Sequence, residues 1–367
     1  MKIDFANLKL SYLEHKENID KAIASTISSS SFIMGQSVYD FEDALAEFSG
    51  AKHAISCSSG TDALLLAMMA LDIKPGDEVI TTPFTFIATA ETIAFLGAIP
   101  VFVDINEQTY NIDVSRIEEK ITKNTKAIIP VSLFGQISDM AAINKIALKY
   151  RLPVIEDGAQ SFGATYKDKK SCNVSTIGTT SFFPAKPLGC FGDGGAVFTS
   201  DEDLADKIKS IRIHGQTKRY HHKYIGMGGR LDTLQSAILN VKIKHYKKDI
   251  SRRQKVANHY TELLKDKFIT PIISEDNSSV WAQYSIRIAS RDKIQLALKE
   301  RGIPTAIHYP LPLHLQECFK YLKYKKGAFP ISELISNEIL SLPMNPYIQA
   351  NEIEFVCNEL IAQTELL

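Results

Sequence analysis

Between about residues 53 and 213 the chain repeats one unit: a short apolar run, a turn of small residues, then a segment with helical periodicity. Such runs bury both faces only in a sheet covered by helices, so the repeat predicts an α/β domain with a largely parallel sheet. HAISCSSGTDALLLAMMALDI supplies a strand, a turn and a helix from Thr61, with Leu64, Leu65, Met68 and Leu71 on one face. DEVITTPFTFIATAETIAFLGA repeats the unit, and IPVFVDI, KAIIPVSLF, LPVIEDG, GTTSFFP and GAVFTS read as further strands. GAVFTS follows SFFP closely enough to return as an antiparallel neighbour. SDMAAINKIALKY and DEDLADKIKSIRI read as amphipathic helices between strands. From Asp232 to about Lys265 the pattern becomes long and helical, and KIKHYKKDISRRQKVANHY reads as a helix with a solvated basic face. Beyond it, AQYSIRI reads as a strand and RDKIQLALKERGI as a helix. The expected division is a large domain over residues 1–245 and a smaller C-terminal α/β domain over 246–367.

Lys+Arg and Asp+Glu both number 42, so no net basic field points to nucleic acid or a membrane surface, and a small-molecule role is favoured. Cys57, Cys172, Cys190, Cys318 and Cys357 form an odd set without a C-x-x-C pair, which reads as free thiols in a reducing compartment and gives no metal site. The first residues mix acidic and apolar side chains, unlike a signal peptide, and no apolar run is long enough for a membrane span. A cytoplasmic location is expected.

Chemistry gathers around SFFPAKPLGCFGDGGAVFTS, where Lys186 stands among aromatics, prolines and glycines. A lysine in an apolar turn is either a snorkelling side chain or a desolvated amine able to act as a nucleophile or carry a Schiff base. Three other stretches favour the second reading. SSGTDALL is a Ser/Gly/Thr turn ahead of a helix, which exposes N–H groups to an anion, although simple capping by Ser59 or Thr61 would give the same letters. VIEDGAQSFG ends a buried strand in Glu156 and Asp157, followed by Gln160, and carboxylates at that end of a parallel strand face the ligand crevice. DGGA allows close backbone approach to a ligand. A phosphate cradle, a strand-end aspartate and a later lysine, in that order, are what pyridoxal 5'-phosphate (PLP) requires: the lysine holds the cofactor and the aspartate pairs with its pyridinium nitrogen.

These stretches, with FIMGQSVYDFEDALAEFSGAKHAI, RIHGQ, GGRLDTLQSAIL and IHYPLPLH, resemble the DegT/StrS-type sugar aminotransferases nearly end to end. The resemblance implies the fold-type I, aspartate-aminotransferase-like architecture. It also implies transamination of a nucleotide-linked keto sugar with L-glutamate as amino donor, and it is strongest toward enzymes acting on UDP-2-acetamido-2-deoxy-3-oxo-glucuronate in surface polysaccharide synthesis. It implies that Gly60, Thr61 and Ser181 bind the cofactor phosphate, that Phe86 stacks on its ring, that Asp157 meets the ring nitrogen, that Gln160 contacts the ring hydroxyl, and that Lys186 is the Schiff-base lysine. His308 and Tyr309, with Arg230 from a neighbouring subunit of a homodimer with shared sites, would lie near the sugar nucleotide. Many relatives carry asparagine where this chain has Gly228, so one donor to the phosphate is missing unless backbone N–H replaces it.

Other acceptors stay open: UDP-3-oxo-N-acetylglucosamine, or a 4-keto-6-deoxy or 3-keto-6-deoxy nucleotide sugar. So do a PLP-dependent sugar dehydratase, against which the lysine at 186 argues, and a non-enzymatic regulator, for which no basic segment is visible. His221 and His222 read as surface groups, His214 as part of a turn and Cys190 as packing, while Trp281 suits core and substrate platform equally.

Overall fold

A computed structural model describes residues 3–366. The apolar runs become the strands β1 (His53–Cys57), β2 (Glu78–Thr81), β3 (Ile99–Phe102), β4 (Thr125–Ile128), β5 (Ile155–Asp157), β6 (Ile177–Ser181) and β7 (Gly195–Thr199). β2 pairs in parallel with β3 and β4, and β5 in parallel with β6. Parallel bridges Ile128–Val154 and Val131–Asp157 join the two halves, so the order is β3-β2-β4-β5-β6-β7-β1. β7 alone runs backwards, antiparallel to both β6 and β1, as the short SFFP-to-GAVFTS connection predicts. Every other strand therefore ends on the same edge, the edge at which α/β folds bind ligands.

The helix Gly60–Ala70 lies between the sheet and the helices Ala88–Phe95 and Glu202–Ile211. Its predicted single apolar stripe is too narrow: Ala63, Leu64, Leu66, Ala67, Met68 and Ala70 are all buried, while Leu65 and Leu71 are only partly so. A helix enclosed on several sides has no solvated face to contrast with its core face. On the other side of the sheet Phe182 is fully buried, edge-on to Phe41 at 5.2 Å and to Phe162 at 6.2 Å. Burial of such a ring contributes about 1.5–3 kcal/mol and fixes the start of the loop that carries Lys186.

The C-terminal region has its own core, built on antiparallel β8 (Tyr284–Arg287) and β9 (Ile339–Leu342) with the helices Arg291–Glu300 and Ala350–Glu365. Trp281 belongs to this core, 4% exposed, with its indole N–H donated to Gln254 at 2.9 Å. Ile3, from the other end of the chain, packs into the same core.

The segment from Asp232 to Lys265 departs from expectation. It forms two helices, Thr233–Ile243 and Tyr246–Leu264, broken at Lys244 and His245. The break is held by the imidazole of His15, which stacks on His245 at 4.2 Å. Nor is the basic run wholly solvated. Arg253 is buried and donates to the carbonyls of Trp281 and Met344. Lys242 is half-buried, and burial pushes its pKa down to about 8. Among the described residues no helix is long and apolar enough to cross a membrane.

Candidate active site

The carboxyl edge of the sheet assembles the sequence motifs. Cys57, the last residue of β1, and Ser181, the last of β6, both pair with Gly195, so the turn after β1 and the end of β6 lie side by side. Ser59 caps the following helix by accepting from the N–H of Asp62 at 3.0 Å. Capping is therefore real, yet it uses only one donor. Among the described residues the N–H groups of Gly60 and Thr61 have no acceptor, and they stand at the positive end of an eleven-residue helix. The Ser181 side chain sits over them, since a Cβ added to Gly60 would lie 2.7 Å from the Ser181 Cβ and 3.1 Å from its Oγ. Two free N–H groups and an adjacent hydroxyl fit a phosphate.

Alternation along β5 separates its two acidic residues. Glu156 turns away and is fully buried, accepting from Ser132 at 2.8 Å, Ser171 at 2.9 Å and the N–H of Cys172 at 2.6 Å. Asp157 faces the edge, 5% exposed, and accepts from the Thr89 hydroxyl at 2.8 Å and the N–H of Ala159 at 3.1 Å. Burial raises the Asp157 pKa, and Thr89, the Ala159 N–H and Lys186 oppose the rise. A carboxylate so placed is short of positive charge, and a protonated ring nitrogen supplies it.

Lys186 projects from a loop tied at several points. Its N–H donates to the Phe183 carbonyl at 2.8 Å, and the Cys190 N–H closes the loop on the Phe182 carbonyl at 2.8 Å. Gly189 packs so closely that an added Cβ would lie 2.4 Å from the Pro184 carbonyl oxygen, and its own carbonyl accepts from the Lys242 ammonium. Cys190 is a packing residue, its thiol directed at the carbonyls of Phe182 and Gly192, each at 3.0 Å. Burial lowers the Lys186 pKa while the Asp157 carboxylate raises it, so the two groups share one pocket. Loss of hydration favours the neutral, nucleophilic amine.

The rest of the wall comes from elsewhere in the chain. Phe86 leaves 56% of its surface open, 6.3 Å from the ring of Tyr309. Gln160 is buried, its carbonyl accepting from the Phe134 N–H at 2.8 Å and its amide donating to the Tyr309 hydroxyl at 3.0 Å, which leaves one amide hydrogen for a ligand. His308 is half-buried and bound through Nδ1 to Ser341 at 2.8 Å. Burial first, and the Lys186 ammonium second, push its pKa down to about 4. The Arg230 guanidinium lies by Gly228 and has no hydrogen-bond or ion-pair partner among the described residues. Its segment is tied behind the phosphate turn, the Ser58 N–H donating to the Gly229 carbonyl at 3.0 Å. At Gly228 an added Cβ would lie 3.2 Å from the His214 imidazole, so a side chain there would press on that ring. His221 and His222 are exposed on a short hairpin.

Thr89, Ser341 and Lys242 were not identified from sequence. Their only signal is a small polar or charged residue inside an otherwise apolar stretch, and many such residues merely cap or face solvent.

The DegT/DnrJ/EryC1/StrS aminotransferase family model matches residues 13–361. A UDP-2-acetamido-2-deoxy-3-oxo-D-glucuronate aminotransferase from Pseudomonas aeruginosa is 51% identical over 359 residues, 98% of this chain and 99% of its own. Among solved structures, S. venezuelae DesV in complex with a ketimine intermediate superposes with a TM-score of 0.97 at 34% identity, covering 99% of both chains. Bacillus subtilis ntda with bound cofactor PMP superposes with a TM-score of 0.91 at 31% identity, over 99% of this chain and 85% of that one. The likeness runs through both cores and through each strand end that carries the site: the chain belongs to the DegT/DnrJ/EryC1/StrS aminotransferase family.

Proposed function

We propose that this enzyme is a PLP-dependent aminotransferase that moves an amino group from L-glutamate to the keto carbon of UDP-2-acetamido-2-deoxy-3-oxo-glucuronate. The observation that carries the chemistry is the meeting at one sheet edge of the half-buried Lys186, the buried Asp157 held by Thr89, and N–H groups at Gly60 and Thr61 that have no acceptor among the described residues. Substrate choice rests on the 51% identity with the P. aeruginosa enzyme of that name.

When bound, PLP supplies an electron-withdrawing ring that stabilises negative charge on the carbon losing its proton. Gly60, Thr61 and Ser181 hold the phosphate, Asp157 keeps the ring nitrogen protonated, Phe86 covers a ring face, and the free amide hydrogen of Gln160 meets the ring hydroxyl. Lys186 Nζ is the proton carrier, taking a proton at one carbon and returning it at another. Burial suits it to that work, because a fully solvated lysine stays protonated at neutral pH. His308 and Tyr309 meet the sugar, with Arg230 of a second copy completing the site in a cytoplasmic homodimer. The cofactor-binding part is residues 1–245 and the smaller part 246–367.

Borohydride reduction followed by peptide mapping tests the first half. The cofactor adduct is expected on Lys186, and an adduct on Lys167, Lys169 or Lys170 instead overturns the assignment. For the second half, the pyridoxamine form is mixed with the 3-oxo-uronate, the neutral 3-oxo sugar or a 4-keto-6-deoxy sugar nucleotide, and return of the pyridoxal absorbance is followed. Fast return with the uronate is expected, and fast return only with another acceptor refutes the substrate.

A further inference from the structure

His308 does not stand alone. Its Nδ1 lies 2.8 Å from the Ser341 hydroxyl, and that hydroxyl lies 2.8 Å from the Ser285 hydroxyl across the β8–β9 pair. Ser285 and Ser341 are 1% and 0% exposed, and neither side chain has any other partner among the described residues. Because a hydroxyl oxygen can accept twice, these three groups can be wired in several ways, and the wirings divide by whether Nδ1 of His308 donates or accepts. If His308 donates from Nδ1, one hydroxyl hydrogen is left without an acceptor among the described residues: that of Ser285 where Ser341 donates onward, or that of Ser341 where it accepts from both neighbours. If Ser285 donates to Ser341 and Ser341 donates to Nδ1, each hydroxyl hydrogen has an acceptor. An unmade hydrogen bond in a buried place costs about 1–3 kcal/mol, enough to decide between tautomers that differ little in water.

We infer that Ser285 and Ser341 are positioning residues that lock His308 in its Nε2–H tautomer, so that the imidazole offers the sugar nucleotide a fixed, neutral hydrogen-bond donor. This rests on the reading that His308 meets the sugar. Nε2 makes no hydrogen bond among the described residues, so it is the ring atom left for a ligand. The low pKa of His308 agrees with the geometry: an imidazole that accepts at Nδ1 in a buried site beside an ammonium resists a second proton. The ligand atom it selects is an oxygen acceptor, such as a sugar hydroxyl, carbonyl or carboxylate oxygen.

The test begins without substrate. Protein labelled with nitrogen-15 at histidine is examined at neutral pH, and the His308 signals are assigned by their absence in His308→Gln. Nδ1 is expected to show the bare nitrogen of the Nε2–H tautomer. A protonated Nδ1 in the wild-type spectrum overturns the inference whatever the enzyme's substrate proves to be. In Ser341→Ala the two tautomers should mix, and Ser285→Ala should show a smaller change in the same direction. Unchanged signals in both variants also overturn it. With the enzyme active on a keto-sugar nucleotide, Ser341→Ala should raise KM for that sugar roughly 2- to 10-fold. The half-reaction with glutamate should keep its rate. An equal loss in both half-reactions would mark Ser341 as merely structural. A wild-type enzyme that shows the Nε2–H tautomer but aminates no keto sugar would refute the proposed function and leave the tautomer standing.

Discussion

Replacing Thr89 with valine isolates one hydrogen bond at the heart of the site. The Thr89 hydroxyl donates to Asp157 at 2.8 Å, with Thr89 1% and Asp157 5% exposed. Valine has the same shape, so no cavity opens, and what is lost is the one donor to that carboxylate oxygen among the described residues. A hydrogen bond to a charged group is worth about 1.5–3 kcal/mol. Without it the Asp157 pKa, already raised by burial, moves further up, and the carboxylate ionises less readily to meet a protonated ring nitrogen. The same energy expressed as affinity is a loss of roughly 10- to 150-fold in cofactor binding. The assay is equilibrium titration of apoenzyme with PLP, followed by quenching of protein fluorescence, with thermal unfolding of the apo forms as control. Thr89→Ser should restore most of the affinity because it keeps the hydroxyl. Valine binding PLP within twofold of wild type, with unfolding unchanged, would refute the claim that Thr89 keeps Asp157 ionised.

Two further changes probe the frame. In Gly195→Ala the new Cβ would lie 2.3 Å from the Ser59 carbonyl oxygen and 2.8 Å from the Gly60 nitrogen, so the phosphate turn must move. Cofactor should be lost on gel filtration in the variant and retained in wild type, and equal retention would show that the turn tolerates the shift. Arg252 hydrogen-bonds Glu14 at 2.7 Å and holds its pKa at about 2, below the ordinary 4.5. A depressed carboxyl stabilises the fold above pH 4.5 and loses that contribution as pH falls toward 2. Arg252→Met should therefore cost about 1–2 kcal/mol at pH 7 in urea unfolding and progressively less below pH 4.5, and a pH-independent difference would contradict the assignment.

What could be read from the letters was what lies contiguous in them. The turn at Ser59–Thr61, the strand ending in Asp157 and the loop around Lys186 each occupy a few consecutive residues, and the order of strands fixes that they meet at one edge. Thr89 was hidden because its meaning depends on the helix Ala88–Phe95 approaching β5, 68 positions away in the chain. The helix break at Lys244 and His245 was equally invisible: no glycine or proline marks it, and the ring that braces it comes from His15. The same tertiary cause misled the charge pattern, since Arg253 sits in a basic run yet is held among carbonyls of the C-terminal core.

Gln160 shows why specificity belongs to one side of this pocket. Its carbonyl is fixed by Phe134 at the end of the sheet side, and its amide holds Tyr309 from the C-terminal region. Tyr309 also packs near Phe84 at 6.2 Å and Phe86 at 6.3 Å, so the segment carrying His308 is held in register with the segment carrying Asp157. In the function proposed above the sheet edge is already committed: its N–H groups and hydroxyls to a phosphate, its carboxylate to a ring nitrogen, and its lysine to the proton transfers that any amino donor and any acceptor must share. Residues that serve both half-reactions cannot distinguish the two substrates without slowing one of them. On the proposed reading, discrimination between keto sugars therefore falls to the groups that meet the sugar, which are His308 and Tyr309 with Arg230 of a second copy. Substitutions along β9, beneath His308, should change the choice of acceptor while leaving the reaction with the amino donor intact.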